Sequence, residues 1–591
     1  MQQYFGSFKA CSAGFPAKHP FICAVLFIFL MVFALPGCME QTPDIVTSVA
    51  AKEEAAKASG SAEEPDFEEI AEAQRQEEIL RLAREEREKL EKERKKKLGD
   101  FYVPLPPPER AKSPPIKARG IYLTGHTVGW ESRYRNLLEM VKSSELNAMV
   151  IDVKNDHGMM SYRSEIPIVN EVGADKSVPV KDMKAVLDEL HAGGIFPIAR
   201  IVVFKDPLLA EQRQDWAIRS KTGGVWRDRK GVAWIDPYEK KVWDYNIAIA
   251  REAALLGFSE IQFDYVRFPE NARQVEQEAY YQAQNHLAKD EVIREFLIYA
   301  REQLKDYHVY LSADVFGVIA TSWGDADRIG QTWEEISPCV DYICPMVYPS
   351  HYGPGYFGLA VPDAHPGTTV KNALEDSIKR NASLKNPAII RPWLQNFTAS
   401  WIKGNIPYGP RQIREQIETA ARLGIDEYLL WNANNNYQPE ALLTAEEAEE
   451  KNREIFNSRM EKGEDVLGRT PSRAVETYLE ALQRRDWREA FALQDTDFVL
   501  DHRSYPAWKE SWSLKPVSFQ VEQVEEEQRE NRGRIPSGVL CRLNVLLAGN
   551  GQEFSFEGES WEVKLQNGLW RVTPSPGFLE SLCWREETGS P

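Results

Sequence analysis

Between Arg119 and Asn434 one pattern of apolar and polar positions recurs: apolar residues three or four apart, a glycine, then a short apolar run. Met183, Leu187 and Leu190 precede Gly193 and Gly194 and lead into IFPIARIVVF; AREAALLG closes on Gly257 before EIQFDYVRF; IREQIETAARLG closes on Gly424 before EYLLWNA. The spacing predicts amphipathic helices, and glycine accepts the left-handed conformation that ends them. The apolar runs predict buried parallel strands. Eight strands are predicted, starting near Gly120, Asn147, Ile195, Glu260, Val309, Val340, Ala388 and Glu427. Eight alternating units in about 320 residues predict an α/β chain folded as a (β/α)8 TIM barrel. No glycine-rich phosphate loop follows the first strand, which argues against an open doubly wound sheet.

The flanks read differently. Lys9, Lys18 and His19 precede an apolar run from Phe21 to Leu35, too short for a comfortable membrane span and suited to a signal peptide. Leu35, Pro36, Gly37 and Cys38 resemble the bacterial lipobox. That resemblance implies a signal peptide over 1–37, acylation of Cys38, and a lipid anchor holding the protein on the extracytoplasmic face of the cell membrane or outer membrane. Residues 38–116 then read as a charged helical and Pro-rich linker. Glu68 to Lys97 carries i,i+4 charge pairs without sustained heptads, predicting a solvated single helix, and Pro104 to Pro115 predicts a stiff extended spacer. The barrel occupies 117–445 and a charged linker 446–468. Over 469–591 Pro471 opens a helix with Val475, Tyr478, Leu479 and Leu482 on one stripe, and strands follow with hairpin turns at Asn550-Gly551 and Asn567-Gly568. Helices followed by an antiparallel sheet resemble the nuclear transport factor two-like α+β fold, here a docking domain for substrate or a protein partner. Asp501-His502 is its one His/Asp pair and a weak candidate for chemistry.

Composition narrows the chemistry. A formal charge of −18 disfavours nucleic acid as a partner. Seven cysteines without CxxC, and no HExxH, give no zinc motif, and no metal or cofactor is expected. Cys339 and Cys344 stand too far apart along a strand to bridge and read as buried free thiols. A Cys541–Cys583 pair stays open. Sixteen tryptophans and twenty-two tyrosines suit a ligand with flat apolar faces.

Active sites of such barrels lie at the C-terminal strand ends, and polar residues collect there. The ends read VIDVKND, ARIVVFKDP, FDYVRFP, SADVFG, PMVYPSHY and LLWNA, after an opening GIYLTG. Taken in order, these segments resemble a bacterial glycoside hydrolase-like family catalogued as a domain of unknown function, from about Lys117 to Pro439. The resemblance implies a catalytic barrel distantly similar to the α-amylase and α-galactosidase clans, in which a strand-four Asp is the nucleophile. By position that residue is Asp264. The acid/base lies after strand five in one clan and after strand six in the other; Asp314 is the only carboxylate at the tip of strand five, and strand six offers none before Asp363. Asp314 is the acid/base that the resemblance implies for a cleavage needing two carboxyl groups flanking one bond. Arg267 is expected to keep one of them ionised.

Asp152 and Lys154 share a strand face and read either as an intra-strand pair or as substrate contacts. Arg200, Lys205 and Asp206 read as supporting ions, with Arg200 also a candidate for substrate binding beside Arg267. Tyr348, Trp393 and Trp431, with Trp226, Trp234, Trp323, Tyr352 and Trp401, offer aromatic surface for sugar rings, about half of it expected to be packing. Asn432, Asn434 and Asn435 offer hydroxyl partners. His157 and His351 take no assigned role. The expected function is extracytoplasmic hydrolysis of a polysaccharide with retention; the rival is an inactive carbohydrate-binding or envelope-scaffolding lipoprotein.

Overall fold

The computed structural model describes residues 67–107, 111–495, 508–509, 515–523, 538–549 and 552–578. The predicted signal peptide, Cys38, Asp501-His502, the Asn550-Gly551 turn and Cys583 lie outside them. The chain divides into two compact units at Arg94 and Lys95. Helix α1 (Phe67–Leu98), which runs across that boundary, forms as predicted, with Arg81 pairing Glu78 and Glu85 and with Leu82 and Leu90 exposed rather than in a seam.

In the second unit the eight predicted strands appear, each beginning within two residues of its expected start. They are β1 (Arg119–Leu123), β2 (Ala148–Lys154), β3 (Phe196–Val202), β4 (Glu260–Asp264), β5 (Tyr310–Phe316), β6 (Tyr342–Val347), β7 and β8 (Tyr428–Trp431). β7 comes in two pieces, Ile389–Ile390 and Trp393–Gln395, because Pro392 between them has no N–H for the ladder. β8 pairs with β1, and the second piece of β7 bridges β6 to β8, closing a parallel barrel. The main covering helices are α2 (Glu131–Lys142), α3 (Met183–Ala192), α4 (Lys240–Leu256), α5 (Lys289–Leu304), α6 (Pro366–Ala382) and α7 (Pro410–Arg422). Gly194, Gly257 and Gly424 take the positive φ that ends three of the β/α repeats.

Strand alternation sorts the side chains into two cores. Ile121, Met149, Ile151, Ala199, Ile261 and Phe263 face the helices, whereas Tyr122, Val150, Ile198, Cys344, Trp393 and Leu429 fill the barrel. Near the N-terminal strand ends, buried Arg391 donates to Glu260 (2.9 and 2.8 Å) and Glu427 (3.0 Å), and Ser312 donates to Glu260 (2.5 Å). These charges persist away from water because each has a partner.

Two linkers differ from expectation. The Pro-rich segment is no free spacer: the Tyr307 hydroxyl bonds the carbonyls of Val103 (3.1 Å) and Pro104 (2.9 Å), and the Tyr310 hydroxyl that of Ser113 (2.9 Å). Proline loses its N–H but keeps its carbonyl, so the segment docks as an acceptor strip. The charged linker is helix α8 (Ala445–Lys462), with a Thr444–Glu447 capping box and Gly463 as its left-handed end.

The C-terminal domain is α+β. Helices α9 (Pro471–Arg484) and α10 (Trp487–Leu493) precede an antiparallel sheet, β9 (Lys515–Gln523), β10 (Gly538–Gly549), β11 (Gln552–Gln566) and β12 (Leu569–Thr573), ordered as in sequence. Asn567 and Gly568 both carry positive φ, as a two-residue hairpin needs. The domain is fixed to the barrel: Arg571 donates to the carbonyls of Ala492 and of Ala382 on α6, and Leu569 joins the barrel's helix-side core. Cys339, Cys344 and Cys541 are buried free thiols.

Candidate active site

The site begins with register. Phe263 on β4 pairs with Ala313 on β5, which makes the next residues, Asp264 and Asp314, neighbours across the two strands at their C-terminal ends. On the other side Asp152 of β2 pairs with Arg200 of β3. Strand twist and alternation carry Tyr122, Asp152, Arg200, Asp264, Asp314, Trp393 and Trp431 to the same end of the barrel interior.

Arg200 organises this group. Its Nη1 donates to Asp152 Oδ1 (2.6 Å), while Nε (3.0 Å) and Nη2 both donate to Asp264 Oδ2. Its guanidinium lies 5.4 Å from the Tyr122 ring and 5.2 Å from Trp431, which stack on each other at 4.1 Å. Burial works against its charge, yet the carboxylates of Asp264 and Asp152 hold its pKa well above the ordinary range. Asp152 also accepts from the Tyr122 hydroxyl (2.6 Å); burial raises its pKa against the pull of Arg200 and Tyr122.

Asp264 receives one more bond, from the backbone N–H of Tyr265 to Oδ1 (2.5 Å). Tyr265 has a φ of 48°, a left-handed conformation uncommon for a bulky residue, and this turn lies beside the proposed nucleophile's carboxylate. Asp314 has the opposite surroundings. It is 1% exposed, and its Oδ1 accepts from the Trp393 indole N–H (2.7 Å). Burial, then the negative charge of Asp264, pushes its pKa well above the ordinary carboxylate value. One carboxylate gripped by a cation thus stands beside one whose burial favours its neutral form, the contrast that a two-carboxylate hydrolysis requires. Burial, then the charges of Asp314 and Asp264, raise the pKa of the Tyr348 hydroxyl at the same end of the barrel.

Several sequence-predicted residues go elsewhere. Arg267 does not touch Asp264 or Asp314: it donates to the Phe268 carbonyl (3.0 Å) and Glu270 (2.8 Å) and lies against Phe316 (4.4 Å) and Tyr265 (5.0 Å). The chain has left β4 at Tyr265, so strand alternation no longer places it. Asp152 and Lys154 form no intra-strand pair, because the register shifts between them. Lys154 instead donates to Asp206 (2.6 Å), both essentially sealed from solvent, and burial lowers the lysine's pKa against that partner. The Asn432 amide donates to the carbonyls of Asn396 (2.5 Å) and Asn436 (2.9 Å) and accepts from the Asn434 N–H, which makes it a loop staple rather than a sugar ligand. Asn435 likewise ties its loop to Tyr122 and Thr124. Lys205 pairs with Asp156 (2.8 Å).

Among the aromatics, Tyr348, Trp393 and Trp431 stand with the carboxylates, while Trp226 and Trp234 form a separate cluster with Val275 and Tyr265. Trp323 is sandwiched between Arg380 (3.7 Å) and Arg488 (3.6 Å), on a cavity of about 320 Å³ between the barrel and the C-terminal domain. Tyr122 carries no sequence signal of its own, lying between the glycines of GIYLTG on a face shared with no charge.

Residues 120–437 match the family described as "Putative glycosyl hydrolase domain". No curated protein matches the chain. Among solved structures, a hypothetical protein from Ruminiclostridium thermocellum is 44% identical over 33% of this chain and 97% of its own, with a TM-score of 0.31. The PgaB (BpsB) glycoside hydrolase domain from Bordetella bronchiseptica is 15% identical over 57% and 98%, TM-score 0.40. An α-galactosidase from Thermus thermophilus is 15% identical over 58% and 63%, TM-score 0.36. The family match spans more than half of the residues, and the chain therefore belongs to this glycosyl hydrolase domain family.

Proposed function

We propose that the protein is an extracytoplasmic glycoside hydrolase, anchored to a membrane through Cys38, that cleaves a polysaccharide by double displacement. The observation that carries this reading is the contrast between neighbouring carboxyl groups, Asp264 held by the Arg200 fork and Asp314 driven towards its protonated form. In the first step Asp264 attacks the anomeric carbon as Asp314 gives its proton to the leaving oxygen. In the second, Asp314, now ionised, takes a proton from water, whose oxygen displaces Asp264. Trp393 aims Asp314 through Oδ1, and Tyr348, at the same end of the barrel, would bond a sugar oxygen through its hydroxyl. Asp152 and Tyr122 act through Arg200 and are positioning residues.

Digesting a panel of bacterial and plant polysaccharides with the full chain, read for new reducing ends, tests the activity. Product from at least one glycan is expected, and binding without product would favour a barrel that holds glycan without cutting it. The near-complete burial of Asp314 is the observation on that rival's side.

The anchor is proposed from the lipobox-like Leu35-Pro36-Gly37-Cys38. Stable attachment depends on acyl chains, so Cys38→Ser is expected to shift the protein from the membrane pellet to the soluble exported fraction. Unchanged pelleting would point to an uncleaved signal anchor.

A further inference from the structure

Next to the carboxylates, on the side of β6 and β7, an aromatic series leads outward. The Tyr348 ring, whose hydroxyl senses both Asp314 and Asp264, meets His351 at 5.1 Å and Phe397 at 5.9 Å. Phe397 in turn lies flat against Trp401, with centroids 6.0 Å apart and planes 18° from parallel. Exposure rises along this series, from 4% at Tyr348 to 68% at Trp401, the most exposed of the large hydrophobic side chains described.

Folding gives no reason for an indole in that position. Trp401 belongs to none of the apolar clusters, and leaving so large an aromatic surface in water forgoes its burial. The loop that carries it is nevertheless fixed. Asn405 donates to the Ala399 carbonyl (2.8 Å), the Tyr408 N–H bonds Thr398 Oγ1 (3.0 Å), and the Tyr408 hydroxyl reaches the Asp363 carbonyl (2.9 Å). Phe397, offset and nearly parallel, sets the plane of the indole and leaves most of its surface held out to solvent beside the mouth of the site. A flat apolar surface pre-set in this way suits a pyranose ring, whose C–H groups form one face and whose hydroxyls stay at the hydrated rim.

We propose that Trp401 is an outer subsite that stacks a sugar ring of a long glycan chain several rings from the cleaved bond, so that the protein selects polymer over short oligosaccharide. This inference rests on the hydrolase reading above and deepens it. Its test is Trp401→Ala in the full chain, with KM and kcat followed on a cleaved polysaccharide and on its oligosaccharides of decreasing length. KM for the polymer is expected to rise about tenfold, the size of one aromatic stacking contact, with kcat retained and with the penalty shrinking as the glycan shortens. Trp401→Tyr, which keeps a flat ring, is expected to recover most of the affinity. An unchanged polymer KM, or an equal loss at every length, overturns the subsite and leaves the hydrolase reading intact. Affinity electrophoresis through the same polysaccharides separates the two ideas: retardation that Trp401→Ala abolishes supports the subsite even where no glycan is cut, and retardation that it leaves unchanged overturns it.

Discussion

Replacing Asp264 by Asn is expected to lower kcat on any cleaved glycan by on the order of 10⁴-fold or more, the scale seen when a covalent nucleophile is removed. The amide keeps the carboxylate's shape but has no charged oxygen to bond the anomeric carbon. It also cannot satisfy its neighbours as the carboxylate does. Arg200 donates to one oxygen and the Tyr265 N–H to the other, so either orientation of Asn turns an NH2 towards a donor. The variant should therefore fold, since Arg200 keeps Asp152, yet lose about 1–3 kcal/mol of stability, seen as a lowered Tm. Full activity in Asp264→Asn would remove it from the mechanism.

Asp314→Asn is expected to give the opposite stability change together with its own loss of rate. As the acid, Asp314 should contribute about 10²–10⁴-fold, most on natural linkages whose leaving oxygen needs a proton and least on activated aryl glycosides. The wild-type rate should fall as pH rises through the elevated pKa of Asp314, and this alkaline limb should vanish in the variant. The same elevation carries a stability cost. Between the unfolded value of about 3.9 and the raised folded value, the native state binds the proton that the unfolded chain has lost. Wild-type stability is thus full below that window and declines across it. Asn keeps an acceptor for the Trp393 N–H and has no charge to bury, so its Tm should exceed the wild type's at neutral pH and converge with it in acid. A variant less stable at neutral pH, or one that keeps the alkaline limb, would show that Asp314 is not the buried acid.

What the sequence disclosed and what it hid follow one physical division. Strand starts were legible because period-two runs, helical stripes and glycine ends are local patterns, and those strands put Asp264 and Asp314 at neighbouring tips, while the roles expected of them came from the family resemblance. The partners of those residues were not legible, because register decides them. Arg200 meets Asp152 across 48 positions and Asp264 across 64, and Arg391 meets Glu260 across 131. Strand alternation places Lys154 on one face with Asp152, leaving an intra-strand pair or substrate contacts open, and a single register shift sends it to Asp206 instead. Arg267 was misplaced for a related reason: one left-handed residue, Tyr265, ends the alternation on which its placement relied. The Pro-rich segment and the charged stretch after Ala445 looked like linkers by composition, but carbonyl acceptors and a capping box give them fixed places.

The most direct test of the two-carboxylate account is the configuration of the first-formed product. Cross-strand neighbours on adjacent parallel strands lie close, and a carboxyl separation of about 5 to 5.5 Å favours a covalent glycosyl intermediate, whereas about 6.5 to 9.5 Å admits a water between them. Proton NMR during the first minutes of hydrolysis, before mutarotation, reads the anomer directly. Retention is predicted, from attack by Asp264 and release through Asp314; an inverted anomer would contradict the double displacement and the nucleophilic role given to Asp264.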